Sequence, residues 1–118
     1  MSWLLFRNPA PCSFHSLQVL VFSKSYCPYC RRTKALFQQM ADELPDLDIV
    51  VNVVEMDLLP GDDGARLQKA LLERTGQRTV PNVFVAGQHV GGNDDTHALA
   101  ASGKLQEMLT TISSSREL

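Results

Sequence analysis

The segment Leu17-Gln18-Val19-Leu20-Val21-Phe22-Ser23, followed directly by Lys24-Ser25-Tyr26-Cys27-Pro28-Tyr29-Cys30, decides the fold. The first half is apolar and rich in β-branched residues, the pattern of a strand buried on both faces of a partly parallel sheet. The second half changes character within seven residues. Thr33, Leu36, Phe37 and Met40 then recur at helical spacing. Pro28 stands where a first helical residue belongs, which puts Cys27 at the N-cap. Two cysteines separated by two residues therefore sit where a strand turns into a helix, with the first at the helix mouth and the second one turn inside.

Working outward, Leu44-Pro45 ends that helix, and residues 48–55 read as a second strand. A helical crossover between them makes the two strands parallel, with a right-handed connection. Asp62 and Asp63 are expected as N-terminal caps near the start of a second helix bearing Leu67, Ala70, Leu71 and Arg74, with Gly76 just past its end as the C-cap. Residues 80–85 form a third strand. Ala86-Gly87-Gln88 turns into a short fourth strand at His89-Val90, so the last two strands are antiparallel. Gly91-Gly92 breaks the chain. Asn93 or Asp94 caps a last helical region carrying Leu99, Leu105, Met108 and Leu109, interrupted at Gly103. The order β-α-β-α-β-β-α specifies an α/β fold with a four-stranded mixed sheet flanked by helices.

The expected organisation is an irregular extension over residues 1–16, a single domain over 17–112 and a frayed tail over 113–118. Pro9 and Pro11 prevent a regular helix near the start. Trp3-Leu4-Leu5-Phe6 is too short for the apolar core of a secretory signal, and one arginine fits a mitochondrial presequence poorly. No apolar run approaches the ~20 residues that span a bilayer, so no membrane partner is expected. The 118 residues carry a net charge of −2, and a general grip on nucleic acid would want the opposite sign. The charge is uneven: the first 41 residues hold +5 and the rest −7, and the positive stretch encloses the cysteine pair.

That placement has chemical consequences. A helix N-terminus offers free N–H donors and the positive end of its dipole, both of which favour thiolate over thiol. Lys24, Arg31 and Arg32 add positive charge. Cys27 is therefore the expected nucleophile, with a pKa in the lower half of roughly 3.5–7.5, and Cys30 the partner that can close on it. The pair Cys12-x-x-His15 with Cys27-x-x-Cys30 offers zinc-type ligands, but a strand intervenes and Cys27 faces outward, so no metal is expected. Cys12 reads as an incidental thiol, His89 as a strand residue, and His15 and His97 as surface residues.

At this point the sequence resembles a dithiol glutaredoxin. The residues that carry the likeness are Cys27-Pro28-Tyr29-Cys30, Thr79-Val80-Pro81 and Gly91-Gly92-Asn93-Asp94-Asp95, which occur in family order over residues 17–112. The resemblance implies a thioredoxin-like fold and a glutathione-disulfide oxidoreductase that acts on glutathione mixed disulfides and protein disulfides. It also implies glutathione as co-substrate. Catalysis would rest on Cys27 and Cys30. Val80, before a cis Pro81, would meet the cysteinyl part of glutathione through its backbone, next to Thr79. Lys24, Gln68 and Arg78 would hold the glycyl carboxylate, and Tyr29 would flank the sulfur while Tyr26 packs. Gly92, Asn93, Asp94 and Asp95 would receive the γ-glutamyl end. Asp94 stands where the family usually has serine or threonine.

The family also usually begins with a helix that residues 1–16 do not resemble. The implied partners are glutathionylated proteins and small disulfides, with glutathione reductase and NADPH acting indirectly. A monomer in the cytoplasm is the default, with organellar targeting by the first residues left open. The rival from another class is an iron–sulfur cluster carrier, a dimer using Cys27 and glutathione. Pro28 stiffens the motif and leaves Cys30 placed to compete with it. A general thioredoxin-like reductase would have no need of the region from Gly91 to Asp95.

Overall fold

The computed structural model describes residues 16–116. Four strands, β1 (Leu17–Ser23), β2 (Ile49–Glu55), β3 (Asn82–Val85) and β4 (Gln88–Gly91), form one sheet in the order β2-β1-β3-β4. β1 runs parallel to β2 in the register Leu17↔Ile49 to Ser23↔Glu55, and β3 is antiparallel to both of its neighbours. The mixed four-stranded α/β architecture is thus the one expected from the sequence. Four helices flank it: α1 (Pro28–Glu43), α2 (Asp63–Thr75), α3 (Asn93–Ala101) and α4 (Lys104–Arg116).

β1 is central and its burial alternates. Leu17, Val19 and Val21 are wholly enclosed, and Gln18, Leu20 and Phe22 are half-buried on the opposite face. The apolar run predicted burial on both faces; only one is complete. On that face Phe37 and Met40 of α1 and Leu105 and Leu109 of α4 close over Leu17, Val19, Val21, Val83 and Val85. On the other face α2 leaves a groove of about 660 Å³ lined by Leu20, Phe22, Leu67 and Phe84 among others.

The punctuation follows backbone chemistry. Gly76 takes the left-handed conformation (φ 77°) and its N–H reaches Leu72 O at 2.8 Å, ending α2. Ala86 and Gly87 both have positive φ, the combination that lets a two-residue hairpin follow the strand twist. Gly103 separates α3 from α4. Two details differ from expectation. Asp62 stands at the N-cap of α2 without a side-chain capping bond, and Asp62 and Asp63 approach Arg66 instead. α4 continues through residues 113–116, where a frayed tail was expected, because Ser113 is buried. Residues 1–15, with Cys12 and His15, lie outside the described residues. No helix among the described residues is long and apolar enough to cross a membrane.

Candidate functional site

The C-terminal end of β1 feeds the cysteine pair into α1. Cys27 N–H donates to Lys24 O at 3.0 Å, closing the turn, and Pro28 opens the helix with Cys27 at the N-cap in extended conformation. Both thiols are free. Cys27 is partly exposed, and Cys30, one turn inward, is fully buried. Desolvation pushes the Cys27 thiol up, but the Cys30 backbone N–H, the Cys30 thiol, the Tyr29 N–H and the Arg31 charge together outweigh it and hold its pKa below the ordinary value. Burial pushes Cys30 up, and the neighbouring Cys27 adds to the rise despite opposing hydrogen bonds from Lys24 backbone and Ser23. The two thiols are therefore split in the sense that separates a nucleophile from a resolving thiol. In a pH series of iodoacetamide alkylation followed by mass mapping, Cys27 should react with a midpoint below the usual thiol value of ~8.5, while Cys30 stays unmodified over the same range. A Cys27 midpoint above ~8.5 would remove the basis of its activation.

The turn before Cys27 is braced from the short 3-10 turn Met56–Leu58 that follows β2. Ser25 N–H donates to Asp57 Oδ1 at 2.8 Å, and its hydroxyl donates to Oδ2 of the same carboxylate. These bonds, side chain first and backbone second, hold the Asp57 pKa below the usual carboxylate range. No periodicity or motif singles out this pair, whose members lie 32 positions apart. At the same end of β2, its last residue Glu55 meets Lys34 of α1 at 2.8 Å.

Beside the thiol helix lies an open groove of about 510 Å³. Tyr29 contributes one part of its wall, Thr79, Val80 and Pro81 a second, and Gly92, Asn93, Asp94 and Asp95 a third. The Val80–Pro81 peptide bond is cis. Three segments far apart in sequence, each singled out beforehand, thus border one space. Lys24, Gln68 and Arg78 are not part of the wall. Gln68 donates through Nε2 to Arg78 O at 3.1 Å, which ties α2 to the residue preceding Thr79. Gln77 lines the groove and was not foreseen.

The third wall owes its shape to Gly91. Its φ is 126°, and a Cβ there would run into the Asp95 side chain. Only glycine combines that backbone with that approach. Gly92 is the N-cap of α3, in place of the expected Asn93 or Asp94. Its N–H donates to Asp95 Oδ2 at 3.2 Å, and its carbonyl accepts from Thr96 N–H and Oγ1 at 3.0 and 2.7 Å. From α1, the buried Thr33 hydroxyl donates to Asn93 Oδ1 at 3.0 Å. The first-turn N–H groups of α3 border the groove, an arrangement that suits a carboxylate.

Two further expectations change. Tyr26 does not pack; it is 64% exposed, as Tyr29 is at 52%, and Arg32 lies over the Tyr29 ring at 5.4 Å. His97, expected on the helix surface, is half-buried, and its Nε2 is enclosed with no hydrogen-bond partner among the described residues. His89 is a strand residue as expected and reaches Asn82 Oδ1 at 2.8 Å. Among the described residues, no three His, Cys, Asp or Glu side chains gather to hold a metal ion.

Comparison with known proteins agrees with this geometry. The family model described as Glutaredoxin matches residues 19–90. Glutaredoxin-C6 of Oryza sativa subsp. japonica is 52% identical over 95 residues, covering 80% of this chain and 77% of that protein. Glutaredoxin-C2 of Arabidopsis thaliana is 48% identical over 96 residues, covering 81% and 78%. A crystal structure of a buckwheat glutaredoxin–glutathione complex superposes with a TM-score of 0.68 at 45% identity, over 79% of this chain and 76% of the other. The fold is thus the thioredoxin-like α/β fold of those proteins.

Proposed function

The chain belongs to the glutaredoxin family of glutathione-dependent thiol–disulfide oxidoreductases, and from that premise we propose that it is a dithiol member acting on glutathione mixed disulfides and protein disulfides. The observation that carries the proposal is the pairing of two unequal thiols at the mouth of α1, beside a groove walled by Val80 and residues 92–95. Cys27 is the nucleophile. Its thiolate attacks the glutathione sulfur of a mixed disulfide. The substrate S–S bond breaks, and the substrate leaves as a thiolate that takes a proton from water. The thiolate of a second glutathione then attacks the same sulfur, releasing oxidised glutathione and restoring the Cys27 thiolate. With a protein disulfide, Cys27 attacks one sulfur and forms a mixed disulfide. Cys30 gives up its proton and attacks Cys27 Sγ, expelling the substrate thiolate and leaving a Cys27–Cys30 disulfide that glutathione reopens.

The groove gives each part of the tripeptide a counterpart. Val80 backbone groups suit the cysteinyl residue, and the start of α3 suits the γ-glutamyl carboxylate, with Asp95 facing its α-ammonium. Tyr29 flanks the sulfur, and Lys24, Gln68 and Arg78 serve the glycyl carboxylate from outside the wall. The complex described for the buckwheat relative supports glutathione as the ligand. In this reading residues 17–112 form the catalytic unit, a monomer in the cytoplasm, recharged indirectly by glutathione reductase and NADPH.

The roles separate in one experiment. In a β-hydroxyethyl disulfide assay coupled to glutathione, glutathione reductase and NADPH, Cys30→Ser should keep activity within about threefold of wild type. The same variant should lose about tenfold or more in reduction of a protein disulfide, because the resolving step alone is removed. A variant inactive in both assays would overturn the division of labour. A brown protein absorbing near ~420 nm would instead favour the cluster-carrying alternative, since thiolate-held iron–sulfur clusters are coloured.

A further inference from the structure

Gln77 has no role in the scheme above, yet its bonding is unusual for a half-buried loop residue. Its Nε2 carries two protons, and both are engaged: one with Thr79 O at 3.0 Å, the other with Pro81 O at 2.9 Å. Those carbonyls bracket Val80, whose own N–H and C=O have no hydrogen-bond partner among the described residues. The carboxamide also stands where two walls of the groove meet. A Cβ added at Gly92 would lie 3.6 Å from both Gln77 Nε2 and Pro81 O. Behind it, Gln77 N–H donates to Thr75 Oγ1 at 3.1 Å, and the same hydroxyl accepts from Asn82 Nδ2 at 3.3 Å and donates to Leu71 O at 2.7 Å. The residue is therefore held at its backbone by the end of α2 and at its tip by the segment it braces.

We propose that Gln77 is a positioning residue of the groove: by engaging the carbonyls on either side of Val80, it leaves the Val80 peptide groups as those that face the cysteinyl part of a glutathionyl substrate. This rests on reading the groove as a glutathione site. A primary carboxamide fits the task because one nitrogen supplies two diverging donors. Glutamate has the same shape but presents only acceptors to two carbonyls, close to Asp94 and Asp95. Methionine fills similar volume and donates nothing. In either variant the Thr79 and Pro81 carbonyls turn to water, and Val80 loses its fixed presentation. The thiol helix, to which Gln77 makes no hydrogen bond, keeps its geometry.

The test is steady-state kinetics on a glutathionylated peptide with wild type, Gln77→Met, Gln77→Glu and Gln77→Ala. The KM for the peptide is expected to rise about tenfold in the Met and Ala variants, the scale of one to two net hydrogen bonds. In Gln77→Glu it should rise further. In all three, kcat should stay within about twofold and the alkylation midpoint of Cys27 should not move. An active wild type with KM unchanged in every variant overturns the proposal, as does a KM change that comes with a shifted Cys27 midpoint. Failure of all three variants to fold would also overturn it, by making Gln77 a residue of the fold. A wild type inactive on the peptide would overturn the glutathione reading itself.

Discussion

Cys27→Ser is expected to abolish turnover, reducing the coupled disulfide assay by at least about 10³-fold, to the level set by free glutathione. The reason is qualitative as well as kinetic. A serine oxygen at this position would remain protonated near neutral pH, and it cannot form the sulfur–sulfur intermediate on which the second half-reaction depends. Stability should change little, since Cys27 is partly exposed. Its pH dependence should nonetheless differ. Cys27 titrates lower in the folded chain than in the unfolded one, so its thiolate contributes stability that is complete above the unfolded value of ~8.5 and is lost as pH falls through the folded value. Cys30 is raised in the folded chain and is present in both proteins, so its own titration largely cancels from the comparison. The stability gap between wild type and Cys27→Ser should therefore widen as pH rises from the folded Cys27 pKa to ~8.5. Denaturant midpoints of the two proteins that run parallel with pH would contradict the activated thiolate, and residual turnover above a few per cent would contradict the nucleophile assignment.

Legibility in the sequence followed the range of the interaction. Where one residue type fixes the local backbone, the reading was direct. Pro28 announced the start of α1 and thereby the position of Cys27, and Gly91 announced the break that lets Asp95 fold back beside it. The parallel pairing of β1 with β2 and the antiparallel pairing of β3 with β4 followed from connection lengths and crossover handedness, whereas the β1–β3 pairing that joins the two halves did not. What sequence patterns could not supply were polar contacts between distant segments. The Ser25–Asp57 brace and the Thr33–Asn93 bond span 32 and 60 positions and involve ordinary surface-type residues. Gln77 has no periodicity or charge partner to single it out; its role emerges only once Thr79 and Pro81 curve around it. Tyr26 misled because a bulky aromatic is usually buried at least in part, whereas it lies in the short turn between β1 and α1 and projects outward at 64% exposure. The Gln68, Arg78 and Lys24 assignments came from resemblance alone. They are also the three that stand outside the groove wall, whereas Val80 and Asn93 line it.

The second large effect concerns the core that seats the site. Phe37→Ala is expected to cost about 3–5 kcal/mol, because a fully buried aromatic is lost and the cavity is only partly refilled. Phe37 is 0% exposed and packs in the cluster of Leu17, Val19, Val21, Met40, Val83, Val85, Leu105 and Leu109. Set against a total stability of ~5–15 kcal/mol for a domain of this kind, that is a large fraction, and it corresponds to a fall in Tm of roughly 10–20 °C. Leu58→Ala makes the matched control: Leu58 is 69% exposed, so its truncation should stay within about 0.5 kcal/mol. Phe37 lies on the same helix that holds Cys27 at its mouth, seven residues beyond Cys30. If it pins α1 to the sheet, the folded fraction of Phe37→Ala should keep a lowered Cys27 pKa while unfolding at much lower temperature, since the donors at Cys30 and Tyr29 are local to the first turn. Thermal unfolding and thiol titration on the same sample distinguish the cases. A loss below about 1 kcal/mol would mean that Phe37 does not fasten α1 to β1 and β3. A large loss together with a Cys27 pKa restored to the ordinary value would mean that the thiolate depends on the packing of the whole helix, and not only on its first turn.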